Sequence, residues 1–163
     1  MSKAARPPHR LAAAAPIEAY GSLFSALEAA GQRAGWLEHQ SAAPDPLPQS
    51  LQQAAAMESV GRAVVVGPRG NLSWKRRRGP AVQRDVQREH FRDYRLVLVQ
   101  GEDVESEALP RLEPAGSEGD EGWRVVVESE GGEGKSWRLS TAELISRLRK
   151  PDPWGLKSGS SSE

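Results

Sequence analysis

Four consecutive cations follow an aromatic residue near the middle of the chain, and their types and spacing could bind phosphate. Trp74 precedes Lys75, Arg76, Arg77 and Arg78. Side chains of an extended segment alternate between two faces, so two cations would lie on each side and could reach neighbouring phosphates. Trp74 could stack on a base, although large aromatic side chains more often pack in a core. The segment predicts contact with RNA or DNA, with a solvated strand end or an acidic protein partner as alternatives.

More arginines follow at helical spacing. If residues 81–94 form a helix, the next four arginines lie in a stripe roughly 80° wide that could follow a phosphate backbone. Asp85, Glu89 and Asp93 run beside the stripe and would partly neutralise it through pairs three residues apart. An ordinary salt-bridged helix surface is therefore the alternative, and a strand over this segment stays open. The predicted nucleic-acid-binding residues are Trp74, Lys75, Arg76, Arg77, Arg78, Arg84, Arg88, Arg92 and Arg95.

Opposite charges are separated along a chain that is neutral as a whole, with 22 basic and 22 acidic residues. Residues 69–95 hold nine basic and three acidic residues, a local charge of +6, whereas residues 102–133 hold eleven acidic and two basic residues, or −9. Such segregation is typical of a polyanion-binding face, an intramolecular clamp or a surface for a charged partner. The acidic segment is either a solvated loop or a cover that competes with an external polyanion for the basic patch.

No group of residues predicts a reaction. The chain has no cysteine, and its histidines, His9, His39 and His90, are far apart, with no second histidine three or four residues away. Metal sites usually need such clusters, and no Gly-x-Ser-x-Gly nucleophile turn is present. We therefore predict no catalytic residue, no metal site and no cofactor.

Composition predicts one domain of ordinary size. Of the 163 residues 37% are apolar, and the mean hydropathy is −0.60, which suggests that part of the chain is unpacked. We expect a disordered basic tail over residues 1–15, a single domain over residues 16–154 and a flexible Gly/Ser-rich tail over residues 155–163. No apolar run approaches the roughly 20 residues that cross a bilayer. No membrane partner is expected, and a cytoplasmic location follows by elimination.

Local patterns predict helices at both ends of that domain and a sheet between them. Pro16 and an apolar periodicity indicate a helix ending near Gly35, and a shorter helix is expected over residues 50–59. Residues 63–66 and 72–74 predict a hairpin around a glycine- and proline-rich turn, and residues 95–99 a central strand. A capping box at Ser140 and Glu143 begins a C-terminal helix.

These elements predict an α+β fold, a small mostly antiparallel sheet with N-terminal helices and a capped C-terminal helix. Trp123, Val125 and Val127 should share one side of a strand and meet Trp137 and Leu139 on the next one. The expected core is Val65, Leu96, Leu98, Val125, Val127, Trp137, Leu144 and Leu148.

The charge pattern favours a non-enzymatic nucleic-acid-binding accessory protein that contacts the phosphate backbone with little base recognition. The alternative is a small protein-interaction or assembly subunit of a larger complex, whose charge blocks dock to partners of opposite sign. An enzyme is a third hypothesis, which would require a pocket that collects carboxylates or a histidine.

Overall fold

The chain forms two compact units in the computed structural model, which describes residues 6–39, 48–77, 86, 89–101, 109–116, 122–128 and 134–156. The first unit comprises residues 1–39 and 87–163, and the second comprises residues 40–86. The second unit is thus an insertion into the first, where the composition predicts a single domain over residues 16–154.

The first unit is built on a six-stranded sheet. Its strands are β1 (His9–Ala13), β2 (Ala34–His39), β5 (Leu96–Gly101), β6 (Arg111–Pro114), β7 (Gly122–Val127) and β8 (Lys135–Ser140). Its helices are α1 (Gly21–Ala29), which follows a 3-10 turn at Ile17–Tyr20, and α3 (Thr141–Leu148). The second unit holds α2 (Gln49–Ala56), β3 (Arg62–Val66) and β4 (Asn71–Lys75).

The α+β class with a capped C-terminal helix is confirmed, and the main sheet is mixed. Its order is β2-β5-β1-β6-β7-β8. The pairs β2–β5, β5–β1 and β1–β6 are parallel, whereas β6–β7 and β7–β8 are antiparallel. Parallel pairs join strands that are distant in the chain. Local sequence patterns do not reveal pairing between distant strands. The sequence alone therefore predicts a mostly antiparallel sheet.

Strand β1 lies in the middle of the sheet, where the sequence predicts part of a basic tail. Leu11 is fully buried, and Ala12 is paired with both Val99 and Arg111. Parallel strands on both sides of β1 satisfy its backbone groups and enclose its short apolar side chains. Residues 1–5 of the predicted tail and all but Gly155 and Leu156 of the C-terminal one lie outside the described residues.

Helix α1 ends six residues before the predicted end near Gly35, and that part of the prediction is wrong. Gly31 has a φ of +71°. Its amide donates to the Glu28 carbonyl at 2.9 Å, and the Gln32 amide donates to the Leu27 carbonyl at 2.9 Å. This is a Schellman termination, which reverses the chain direction. The residues that follow, Ala34–His39, form edge strand β2.

Helices α1 and α3 share one hydrophobic core with the inward face of the sheet. The predicted core residues Leu96, Leu98, Val125, Val127, Leu144 and Leu148 are buried in the first unit, and Trp137 packs against this core half-buried. Val65 lies instead in the second unit, half-buried on β3. The ladder places Trp123 opposite Leu139 and Val125 opposite Trp137, as predicted.

The C-terminal helix begins at the predicted cap. The Ser140 hydroxyl accepts a hydrogen bond from the Glu143 amide at 3.2 Å, whereas the Glu143 carboxylate lies 3.1 Å from that hydroxyl rather than at the Ser140 amide. At the other end, the Arg147 guanidinium lies over Trp137 and Trp154 at 5.3 and 5.6 Å. Two cation–π contacts thus fix the segment after the helix.

Candidate nucleic-acid interface

The second unit presents the predicted basic residues on a two-stranded hairpin. β-branched residues favour strand β3, and the Gly67 amide donates to the Gly70 carbonyl at 2.8 Å to close the turn. The register places Arg62 opposite Lys75, Ala63 opposite Trp74 and Val64 opposite Ser73. The hairpin predicted from the sequence is confirmed.

The two faces of the hairpin differ in exposure. Ala63, Val65 and Trp74 are half-buried on the inner face, beside α2 with its buried Leu51 and Ala54. The outer face is exposed, and its residues are Arg62, Val64, Val66, Asn71, Ser73 and Lys75. Because Arg62 and Lys75 are cross-strand neighbours, two cations lie side by side on that outer face.

Arg76 performs a structural task inside the second unit. Its Nη2 donates to the carbonyls of Ala54, Ala55 and Met57 at 3.2, 3.1 and 2.7 Å, and its Nε donates to the Val60 carbonyl at 3.2 Å. These include the last carbonyls of α2, where a cation also favours the helix dipole. Arg76 therefore has a structural role that the sequence does not predict, and its phosphate contact stays a prediction.

The ring of Trp74 packs partly inside the hairpin. It is half-buried, and the Arg76 guanidinium lies over it at 4.8 Å from the ring centre. This placement favours the alternative interpretation, in which Trp74 packs in the hairpin, and the base contact stays a prediction.

The hairpin carries cations without any carboxylate. Residues 61–77 contain five basic residues, namely Arg62, Arg69, Lys75, Arg76 and Arg77, and no Asp or Glu. All of them except Arg76 are exposed. The guanidinium groups of Arg69, in the turn, and Arg77, just after β4, make no ion pair or hydrogen bond with another described residue. Arg69 and Arg77 therefore contribute positive potential to this surface.

The second predicted group of arginines does not follow one helix. Arg92 is exposed in a turn, and Arg95 is half-buried immediately before β5. Asp93 has a φ of +68°, a left-handed conformation that is incompatible with a helix through residues 91–95. Both residues belong to the first unit, whereas Lys75 and Arg77 belong to the second. Arg78, Arg84 and Arg88 lie outside the described residues, as does most of the acidic segment proposed to cover the patch.

Sequence reasoning missed two cations of the hairpin as site residues, Arg62 and Arg69. The signal was present in the strand pattern. In an antiparallel hairpin with a four-residue turn, the residue that starts the first strand faces the residue that ends the second, so Arg62 belongs beside Lys75. Arg69 occupies the turn, where side chains point to solvent.

A cavity of about 510 Å³ lies in the first unit beside α1 and β2. Its walls are mainly apolar and aromatic, with Ile17, Phe24, Trp36 and Tyr94 among them, and Glu28 is the one carboxylate among its lining residues. An apolar groove of this size is common in proteins that bind small molecules. Within the described ranges, no three His, Cys, Asp or Glu residues are grouped so that they could hold a metal ion.

No helix in the described part of the chain is long and apolar enough to cross a membrane. Comparison of the chain with protein-family models, with curated proteins and with solved structures produced no match.

Proposed function

We propose that this is a non-enzymatic nucleic-acid-binding accessory protein that contacts the phosphate backbone through the hairpin of its second unit. The observation that supports the proposal is the exposure of four cations, Arg62, Arg69, Lys75 and Arg77, on a hairpin without carboxylates. Charge-assisted hydrogen bonds from arginine and lysine to phosphate oxygens supply most sequence-independent affinity for nucleic acid. We place the activity in the cytoplasm, a choice that the absence of cysteine favours.

The dimensions of the hairpin favour duplex DNA as the ligand. The major groove of B-DNA admits a two-stranded ribbon, whereas the deep and narrow major groove of duplex RNA does not. From the Arg62–Lys75 pair to the Val66–Asn71 pair the strands rise about 13 Å. Phosphates follow each other every ~3.4 Å along the axis of one strand. The base of the hairpin and Arg69 in its turn can therefore contact phosphates about four steps apart.

The salt dependence of DNA binding tests the proposal. The logarithm of the affinity of the full chain for a mixed-sequence duplex should fall linearly with the logarithm of the salt concentration. Arg69→Gln and Arg77→Gln should each reduce that slope by roughly 0.9, because each removes about one phosphate contact. Unrelated duplex sequences should bind equally, since phosphate contacts carry no sequence information.

A matched control comes from the first unit. Arg149 is an exposed arginine at the end of α3, and Arg149→Gln removes the same charge without touching the hairpin, so the slope should stay unchanged. Absence of any binding at low salt, or an equal effect of Arg149→Gln and Arg77→Gln, would eliminate the hairpin as the interface. Duplex RNA and single-stranded DNA in the same titration show which nucleic acid the hairpin prefers.

A protein partner is the second candidate, and exposed apolar side chains of the hairpin favour it. Val64, Val66 and Leu72 are 52%, 76% and 54% exposed. Val64 and Val66 are neighbours on the outer face, whereas Leu72 lies opposite Val65 on the inner face. Neighbouring exposed apolar groups often mark a docking surface. A partner that binds there should be recovered in a stoichiometric complex that survives nuclease treatment. Val64→Ser with Val66→Ser should release that partner, whereas Arg69→Gln with Arg77→Gln should release a nucleic acid.

A further inference from the structure

The outward face of strands β6, β7 and β8 carries a second group of exposed cations, in the first unit. This face lies opposite the core face occupied by Trp123, Val125 and Leu139. Alternation along each strand places Arg111 and Glu113 of β6, Arg124 of β7 and Arg138 of β8 on it. The three arginines are exposed.

Arg124 and Arg138 are direct cross-strand partners in the β7–β8 ladder. Directly opposite residues have β-carbons ~5 Å apart, and like charges in such positions destabilise a sheet. The Arg124 guanidinium makes no ion pair or side-chain hydrogen bond with another described residue. Two adjacent cations without an ion pair to any carboxylate in the described part of the chain are therefore built into an ordered sheet.

The Arg138 side chain is held in place at this face. Its Nη2 donates to the Ala115 carbonyl at 3.0 Å, on the far side of β7. The Ala115 amide bonds to the carbonyl of Gly122, so the side chain must cross β7 next to Gly122 and Arg124. Gly122 has no side chain to obstruct that path. Arg138 is thus preorganised beside Arg124, with four of its five guanidinium N–H donors left over.

The nearest carboxylate across the β6–β7 ladder makes no ion pair with Arg124. Glu113 lies opposite Arg124, yet its Oε1 accepts from the Nε of Arg111 at 2.8 Å. Glu128, the other carboxylate near Arg111, lies 3.6 Å from that same guanidinium. Both acids therefore pair with Arg111, whereas Arg124 and Arg138 make no ion pair with a described residue, and the five side chains together carry a charge of +1.

We propose that Arg124 and Arg138 form a binding site for a phosphate group, supplied by a nucleic-acid backbone or by a free phosphate compound. A doubly charged anion between two guanidinium groups satisfies their donors and removes the repulsion between them. The site lies in the first unit and does not rest on the function proposed for the hairpin.

Thermal unfolding of the full chain with pyrophosphate as the probe tests this site. Saturating pyrophosphate should raise the Tm by roughly 5 °C at a concentration about a hundred times its Kd. Arg124→Gln should weaken pyrophosphate binding by about tenfold. Without any anion, the same variant should raise the Tm at low salt by roughly 2 °C, because it removes the like-charge pair. Arg149→Gln is the charge-matched control and should change neither result.

Any of three results would overturn the phosphate site. The first is an unchanged Tm of the original chain with pyrophosphate, and the second is an equal increase in the Arg124→Gln variant. The third is a fall in Tm on Arg124→Gln without anion, because the arginine would then be stabilised by a carboxylate of its own chain, such as Glu113 opposite it in the β6–β7 ladder.

A measurement of duplex DNA binding by the same variants identifies the source of the phosphate. If a nucleic-acid backbone occupies the site, Arg124→Gln with Arg138→Gln weakens duplex binding as well as the pyrophosphate effect. If only the pyrophosphate effect is lost, the site takes a free phosphate compound. Arg69→Gln with Arg77→Gln should leave the pyrophosphate effect intact in either case, so failure at the hairpin is distinguishable from failure here.

Discussion

A single buried hydroxyl group, that of Tyr20, connects three segments of the first unit. It donates to the Leu112 carbonyl at 2.6 Å and accepts from the amides of Ala14 and Ala15 at 2.9 and 3.2 Å. The ring stacks on Trp123 with centroids 5.6 Å apart. The hydroxyl is fully bonded to backbone groups, and its bond to the Leu112 carbonyl is buried, so the group is part of the structure rather than of a reactive site.

Replacement of Tyr20 by phenylalanine should therefore be strongly destabilising. The variant keeps the ring but removes three hydrogen bonds of about 1 kcal/mol each, so Tyr20→Phe should lower the free energy of unfolding by about 3 kcal/mol. Urea denaturation measures this loss. Tyr94→Phe is the control, because Tyr94 is half-buried and its ring contacts Phe91. A loss no larger than that of the control contradicts the role given to the hydroxyl.

The same residue predicts a loss of stability at alkaline pH. Burial raises the pKa of the Tyr20 phenol above its ordinary value of 10.0. Between 10.0 and the raised pKa, the unfolded chain releases this proton while the folded chain keeps it, so stability falls as pH rises through that window. Below it the contribution is constant. Above pH 10.0, the urea midpoint of the original chain should fall more steeply with pH than the midpoint of Tyr20→Phe. Parallel curves of the two midpoints against pH would refute this.

Neighbouring residues of one type have different tasks in the hairpin. Arg76 binds four backbone carbonyls, whereas Arg77 is exposed. A run of cations in a sequence predicts a positive surface, yet it cannot show which guanidinium lies near the end of a helix. The position of α2 decided that Arg76 is a structural residue, and this position depends on tertiary packing.

At the scale of elements, the glycine that begins α1, Gly21, and the glycine just after its end, Gly31, have opposite requirements. Gly31 needs its positive φ of +71°, whereas Gly21 has a helical φ of −56° and open space where a β-carbon would lie. An alanine in the left-handed region is strained, and an alanine within a helix is favoured over glycine.

Substitution of these glycines should change stability in opposite directions. Gly31→Ala should lower the free energy of unfolding by about 1 kcal/mol, and Gly21→Ala should raise it by up to about 1 kcal/mol. Urea denaturation of both variants gives the comparison. Equal shifts of the same sign would show that the end of α1 does not depend on the conformation of Gly31.

Elements with strong local signals were predicted well, and those without them were not. The turn chemistry around Gly67 and Gly70 and the cap at Ser140 specify the hairpin and the start of α3. Strand β1 has no such signal, because its five residues, His-Arg-Leu-Ala-Ala, are too short and weakly apolar to predict a strand. Its conformation depends on β5 and β6, which are about 85 to 100 residues away along the chain.

At the scale of the whole molecule, the main hydrophobic core and the proposed DNA-binding hairpin belong to different units. Every residue of the main hydrophobic core lies in the first unit, and the hairpin lies in the second. The first unit should therefore fold when residues 40–86 are replaced by a Gly/Ser linker.

That variant gives a prediction for the whole chain. It should unfold cooperatively in urea and keep the effect of pyrophosphate, while its salt-dependent duplex binding loses the contribution of the hairpin. Circular dichroism during urea denaturation measures folding, and fluorescence anisotropy measures binding. Loss of cooperative unfolding would mean that the core of the first unit is incomplete without the insertion.

Local physical chemistry suffices to predict the α+β class, the hairpin, the helix cap and the segregation of charge, because these properties depend on residues close together in the chain. Three other features depend on tertiary packing, including strand order and register. They are the pairing of β1, the contact of Arg76 with the end of α2 and the juxtaposition of Arg124 with Arg138. Strand register can bring two arginines fourteen positions apart to one point of a sheet. Such contacts arise from long-range packing, so local patterns alone do not predict them.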